Sequence, residues 1–148
     1  MKTLITCGRG LIGSALTNLL LQDADRIFVL TRNTSSIESK PEKITYIPWD
    51  AMTDRGWGHL LEEVDAVIHL SGENLSAGRW TPKQKAKLLE SRVKSGQAVV
   101  EAFHKVKRKP SVLIQASGAG YYGVSNPELL DENAPNGKNF LSSLAREW

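Results

Sequence analysis

Three glycines, Gly8, Gly10 and Gly13, stand between a short apolar run and an amphipathic helical pattern. Before them, Thr3 to Thr6 has the length and character of a strand; after them, Leu11, Ile12, Ala15, Leu16, Leu19 and Leu20 recur at helical spacing. The Gly-x-Gly-x-x-Gly spacing is a weak signal alone. Set between a strand and a helix, it describes a turn that presents the unpaired N–H groups of a helix N-terminus to a phosphate. Gly10 lets backbone approach a pyrophosphate, and Gly13 lets the helix lie close to the strand. The alternative is a purely structural turn. A second apolar run, Arg26 to Thr31, has the continuous core Ile27-Phe28-Val29-Leu30 of a strand buried on both faces, so the first thirty residues make one βαβ unit.

The alternation continues along the chain. A short strand is expected at Ile44 to Ile47, a short helix around Gly58 to Glu63, and a strand at Ala66 to Leu70 that ends in Ser71-Gly72. Thr81-Pro82-Lys83-Gln84 has the form of a capping box with proline at the first helical position, and opens a long helix to about Val106 whose buried stripe is expected at Leu89, Val93, Val100 and Phe103. Lys109-Pro110 stops that helix. Val112 to Ser117 is another apolar strand, followed by the small-residue turn Gly118-Ala119-Gly120; Asp131 to Lys138 is a polar loop, and Phe140 to Trp148 is helical. Parallel strands need crossover helices, so this order implies an α/β fold: a Rossmann-type doubly wound parallel sheet with helices on both faces and ligands at the carboxyl ends of its strands.

At 148 residues, with 41% hydrophobic and 24% charged residues, the chain has the size and composition of one soluble globular domain. The final helical pattern runs to Trp148 without a stop signal, so the chain reads as the N-terminal part of a longer one. One cysteine, Cys7, excludes an internal disulfide and fits a reducing, cytoplasmic compartment; no stretch has the length of a signal peptide or a membrane span. Basic residues exceed acidic ones by only 19 to 16. The runs Lys83, Lys85, Lys87 and Lys105, Lys107, Arg108, Lys109 lack interleaved aromatics, so they read as solvated helix faces and not as a nucleic-acid surface. His59, His69 and His104 show no metal-ligand spacing, and no metal site is expected.

NAD-specific domains usually end the second strand in Asp or Glu, which accepts the ribose hydroxyls. Here it ends Leu30-Thr31-Arg32-Asn33. Arg32 offers a planar fork of donors suited to a 2′-phosphate, and Arg9 in the glycine turn adds a second positive charge, so the expected cofactor is NADP(H). The alternative for Arg32 is a solvated loop arginine. The cofactor contacts expected here are Gly8, Arg9, Gly10, Leu11, Ile12, Gly13, Thr31 and Arg32.

The glycine turn, Thr31-Arg32, His69-Leu70-Ser71-Gly72-Glu73-Asn74, Arg79-Trp80-Thr81, Ser91-Arg92-Val93 and Ala116 to Gly123 together resemble an atypical branch of the extended short-chain dehydrogenase/reductases, the epimerase-family proteins. The resemblance spans the chain and its signatures fall in order. It implies an NADP-dependent oxidoreductase acting on a small substrate, with further strands and a C-terminal substrate-binding portion. It also implies cofactor contacts at Leu70, Ser71, Arg92 and Lys87. Arg92 has the alternative of a helix-surface residue, its direction left open by Val93 beside it.

Two departures from the superfamily stand out. Cys7 occupies the place where extended members usually carry the first glycine of the turn; it reads as a small buried filler, with a redox-active thiol as the alternative. The usual Tyr-x-x-x-Lys, in which the lysine lowers the tyrosine pKa for proton transfer, reads Phe140-x-x-x-Leu144, and the usual serine slot falls on Gly118 beside Ser117. Ser117, Tyr121 and Tyr122 are the remaining proton-transfer candidates, with cleft-wall packing as the alternative for the tyrosines. Two rival functions stay open: a non-catalytic NADP(H)-sensing module and a nucleotide-sugar epimerase.

Overall fold

The computed structural model describes residues 1–35, 37, 41–123 and 130–148. The chain divides into two compact units, one of residues 1–72 and 94–116, the other of residues 73–93 and 117–148.

The first unit is a parallel five-stranded sheet: β1 (Lys2–Thr6), β2 (Arg26–Thr31), β3 (Ile44–Pro48), β4 (Ala66–His69) and β5 (Val112–Gln115), in the order β3-β2-β1-β4-β5. This is the order of a dinucleotide-binding sheet, with the direction of winding reversing between β1 and β4. Register places the carboxyl ends together: Thr6 pairs with Leu30 and His69, Thr31 with Pro48, and His69 with Gln115.

Period-two alternation sends the side chains of each strand to opposite faces, and both faces are covered. On one, Leu4, Phe28, Leu30 and Val67 pack with Trp57, with Leu60 and Leu61 of the 3-10 turn that follows it (Gly58–Glu62), and with Ala98, Val99 and Ala102 of α2 (Pro82–Lys105). On the other, Ile5, Ile27, Val29, Ile44 and Ile68 pack with Leu16 and Leu20 of α1 (Leu11–Leu20). Both-face burial is why β2 is a continuous apolar run. β5 differs: it pairs with β4 alone among the described strands, and Val112, Leu113 and Ile114 are 44–52% exposed.

The long helix forms where its cap places it, since the Gln84 N–H donates to Thr81 Oγ1 at 3.2 Å. The Thr81 N–H donates to the Arg79 carbonyl at 2.8 Å, so the Thr81 amide is engaged by backbone and not by the Gln84 side chain. The buried stripe of α2 is not the expected one. Leu88, Arg92, Ser95, Ala98, Val99 and Ala102 are buried, Leu89, Val93 and Phe103 only half so, and Val100 is 50% exposed. Packing selected the face with small residues and with polar groups that find partners, which hydrophobicity alone ranks below the neighbouring valines.

In the second unit a 3-10 turn (Ala119–Tyr122) precedes α3 (Phe140–Glu147), which Asn139 caps by accepting the Ser142 N–H at 2.9 Å. The Leu141 side chain packs against Gly120, where an added Cβ would lie 3.0 Å from Leu141 Cβ.

Candidate functional site

In the first unit the expected contacts gather at the carboxyl ends of β1, β2 and β4. The turn after Thr6 is closed by the Gly10 N–H donating to the Cys7 carbonyl at 2.9 Å, and α1 begins with the Ser14 N–H on the Gly10 carbonyl at 2.8 Å. Gly13 lies against the turn itself: an added Cβ would overlap the Cys7 carbonyl oxygen and stand 2.7 Å from the Gly8 Cα. Gly8 is packed beside Val29, with a Cβ position 2.8 Å from Val29 Cγ1, whereas a Cβ at Gly10 would meet only Cys7 atoms, at 3.3 Å. Gly10 therefore leaves its outer side clear for a ligand. Leu11 and Ile12, on the first turn of α1, are 93% and 68% exposed.

Cys7 corrects the expectation of a buried filler. It is exposed, and its φ of +57° is left-handed, a conformation that costs a side-chain-bearing residue about 1–2 kcal/mol. That is the physical reason a glycine suits this position. Cys7→Gly is expected to raise stability by about 1 kcal/mol, less the extra chain entropy that glycine brings to the unfolded state, read as a higher melting temperature.

The loop after β2 carries Arg32, which is exposed, and folds on its own polar groups. The Asn33 N–H donates to Thr31 Oγ1 at 3.4 Å and the Ser35 N–H to Asn33 Oδ1 at 2.9 Å. Arg9 reaches this loop from the glycine turn, with its Nη1 donating to the Asn33 carbonyl at 2.8 Å. Two arginines thus converge on one loop. β2 itself ends in Thr31 with no carboxylate at its terminus.

At the end of β4, Ser71 is buried and the Leu70 N–H donates to Thr6 Oγ1 at 2.9 Å. His69 is fully buried between hydroxyls, Thr6 Oγ1 at 3.0 Å from Nδ1 and Ser95 Oγ at 3.3 Å from Nε2. Burial pushes the His69 pKa down to about 4 from its ordinary 6.5, so the ring is neutral at neutral pH. Between those values the unfolded chain binds a proton that the folded one refuses. Stability is therefore full above about pH 6.5 and falls as pH drops towards 4. His69→Gln is expected to flatten that part of a melting-temperature profile, most plainly at its upper end, where carboxylates are already ionised.

In the second unit Arg92 and Lys87 come together around Glu73. Lys87 Nζ pairs with Glu73 Oε1 at 2.7 Å, and the Glu73 N–H donates to Ser91 Oγ at 3.0 Å. Arg92 is not a helix-surface residue: it is 7% exposed, donates from Nη1 to the Leu88 carbonyl at 3.1 Å, and lies over the Trp148 ring at 5.0 Å. Burial lowers the Arg92 pKa, and the charge of Glu73 acts against that shift. Neither Glu73 nor Trp148 was marked by sequence. Glu73 belongs to the Ser71-Gly72-Glu73-Asn74 signature, which was the available signal; nothing in the sequence signals Trp148 as the partner of Arg92.

The same unit holds the proton-transfer candidates. Ser117 is exposed; Tyr121 and Tyr122 are half-buried and meet edge to face at 5.3 Å. Asn136 Nδ2 and the Gly137 N–H donate to the Tyr121 carbonyl, at 2.8 and 2.9 Å, fixing the backbone that carries the two rings. Phe140 stands edge to face with Trp80 at 5.7 Å, with Lys85 Nζ over its ring at 5.2 Å, and Leu144 is buried. Among the described residues no group of three His, Cys, Asp or Glu side chains is placed to hold a metal ion, and no helix is long and apolar enough to cross a membrane.

Residues 3–140 match the model of the NAD dependent epimerase/dehydratase family. An epimerase family protein of Staphylococcus epidermidis is 37% identical over 151 residues, covering 99% of this chain and 48% of that protein. Among solved structures, the human epimerase family protein SDR39U1 with NADPH superposes with a TM-score of 0.82 at 28% identity, covering 100% of this chain and 47% of that one. A nucleoside-diphosphate sugar epimerase from Corynebacterium glutamicum gives 0.75 at 30% identity, covering 100% and 29%. The chain spans about half the length of the curated relatives it matches.

Proposed function

The chain belongs to the NAD dependent epimerase/dehydratase family, and from that premise we propose that it binds NADP(H) and serves hydride chemistry of oxidoreductase or epimerase type on a small substrate. The observation that carries the NADP(H) reading is the 2.8 Å bond from Arg9 to the Asn33 carbonyl, which brings a second guanidinium to the loop of Arg32 where no carboxylate ends β2. A 2′-phosphate suits an arginine on this loop and a second one bonded to it, and β2 does not end in the carboxylate that usually accepts the ribose hydroxyls. The NADPH bound to the human relative supports the same choice.

In this reading the Gly8–Gly13 turn and the first amides of α1 hold the pyrophosphate. Leu11 and Ile12 cover it from the helix, Thr31 and Arg32 hold the adenosine end with Arg9, and Leu70 and Ser71 line the path from β4. Arg92 and Lys87 are assigned to the cofactor from the family resemblance, with Glu73 as the carboxylate that holds their charge in place. When bound, the nicotinamide supplies or accepts the hydride. Ser117, Tyr121 and Tyr122 supply the hydroxyls for proton transfer. The compartment is the cytoplasm, on the single cysteine.

Phe140 and Leu144 favour a second reading. An aromatic ring without a hydroxyl and a buried leucine offer neither the acid nor the ammonium of a standard reductase, so a non-catalytic NADP(H) sensor fits them. The cofactor's fate separates the two: the intact protein is incubated with NADPH and a panel of carbonyl compounds and nucleotide sugars while nicotinamide absorbance and the sugar products are followed. Sustained oxidation supports the oxidoreductase and excludes the sensor. Epimerised sugar without net absorbance change supports the nucleotide-sugar epimerase, and binding without turnover on any compound overturns the catalytic reading.

A further inference from the structure

Trp80 is a large apolar side chain left 41% exposed, yet it is not loose. Its Nε1–H donates to the Leu75 carbonyl at 2.9 Å, and the Ser76 N–H donates to Asn74 Oδ1 at 2.9 Å inside the loop so closed. An apolar residue in this place, directly before the helix cap Thr81, often packs against the fourth residue of the helix. That residue is Lys85, which offers no apolar end. Trp80 instead meets Phe140 edge to face, with ring centroids 5.7 Å apart and planes at 64°, and Lys85 Nζ lies over the Phe140 ring at 5.2 Å. Two steeply inclined rings and one ammonium thus bound a corner within the second unit.

The charge around this corner has one sign. From Asn74 to Leu89 the chain carries four basic residues, Arg79, Lys83, Lys85 and Lys87, and no acidic one. The start of a helix favours acids, so Lys83 and Lys85 stand against the macrodipole of α2 and do not serve its stability. Lys87 is neutralised by Glu73, whereas no carboxylate among the described residues pairs with Lys85. The corner is therefore complementary to a flat group that brings its own negative charge. It also adjoins the proton-transfer candidates: Phe140 opens α3, and its neighbour Leu141 packs on Gly120 of the 3-10 turn that carries Tyr121 and Tyr122.

We propose that Trp80, Phe140 and Lys85 form a substrate subsite for a planar anion, and that the substrate is an aromatic carbonyl compound bearing a carboxylate. The ring of the substrate lies against Trp80 and Phe140, and its carboxylate takes the Lys85 ammonium. This subsite rests on the catalytic reading above, to which it adds the class of compound.

The test titrates three carbonyl compounds into the intact protein by calorimetry: phenylglyoxylate, which has both ring and carboxylate, acetophenone, which has only the ring, and pyruvate, which has only the carboxylate. Excess NADP+ is present throughout, a form of the cofactor with no hydride to give. Phenylglyoxylate is expected to bind about fivefold tighter or more than either of the others, since stacking and a charge-assisted bond each contribute at least that much. Lys85→Gln is expected to bring phenylglyoxylate within about twofold of acetophenone and to leave acetophenone itself unchanged, and Trp80→Ala to bring it within about twofold of pyruvate. A general loss of structure would weaken all three compounds together and would overturn the assignment, as would a wild-type protein without the preference or variants that keep it. If Trp80→Ala does not fold, Lys85→Gln decides alone, because it removes only an ammonium with no carboxylate partner. A protein that shows the preference for phenylglyoxylate but does not bind NADP+ supports the subsite and refutes the cofactor reading. One that binds NADP+ without the preference refutes the subsite alone.

Discussion

Gly13→Val is expected to abolish NADPH binding and to lower the melting temperature sharply, because the site has no room for even one carbon. An added Cβ would overlap the Cys7 carbonyl oxygen and approach the Gly8 Cα to 2.7 Å and the Cys7 carbonyl carbon to 3.0 Å. All three are backbone atoms, which cannot rotate away as a side chain can. The branched valine must therefore drive α1 off the turn, at a cost at or above about 3 kcal/mol, the upper end of ordinary overpacking. The same displacement carries the first helical amides away from a pyrophosphate. Gly96 supplies the control: it lies inside α2 with nothing within 4 Å of its Cβ position. Gly96→Ala is expected to stabilise the protein by about 0.5–1 kcal/mol. Thermal melts and calorimetric titration of both variants decide this, and a Gly13→Val protein with wild-type melting and affinity would show that the turn tolerates what its geometry forbids.

Arg32→Ala is expected to remove most of a preference for NADPH over NADH. Charge-assisted hydrogen bonds contribute about 1.5–3 kcal/mol, or roughly 10- to 150-fold in affinity. Arg9 is held at the same loop by the Asn33 carbonyl, so it retains part of the preference and the single variant stops short of parity. NADH lacks the 2′-phosphate, and its affinity is expected to change little. An equal loss for both cofactors in titrations of Arg32→Ala would remove Arg32 from the phosphate site.

The parts of the fold that sequence displayed are those in which local pattern and packing agree. Ile27 to Leu30 are buried on both faces, so β2 is legible as an unbroken apolar run, and the glycine turn is legible because its three glycines mark one tight approach. The stripe of α2 was misplaced for a definite reason: Arg92 and Ser95 are buried through partners at Trp148 and His69, and a count of apolar residues points instead to Val93 and Val100. Residue type points to a buried Cys7, because cysteine usually is buried, and encodes neither its exposure nor its left-handed backbone. The Thr6–His69–Ser95 chain joins residues 63 and 26 positions apart. Polar residues inside apolar strands were its only local sign.

The central claim is that the glycine turn and the two arginines select NADP(H), and titration of NADPH and NADH into the wild-type protein tests it most directly. NADPH is expected to bind about tenfold tighter or more, with the gap narrowing as salt screens the arginines. Equal affinities at low salt, or tighter binding of NADH, would contradict it.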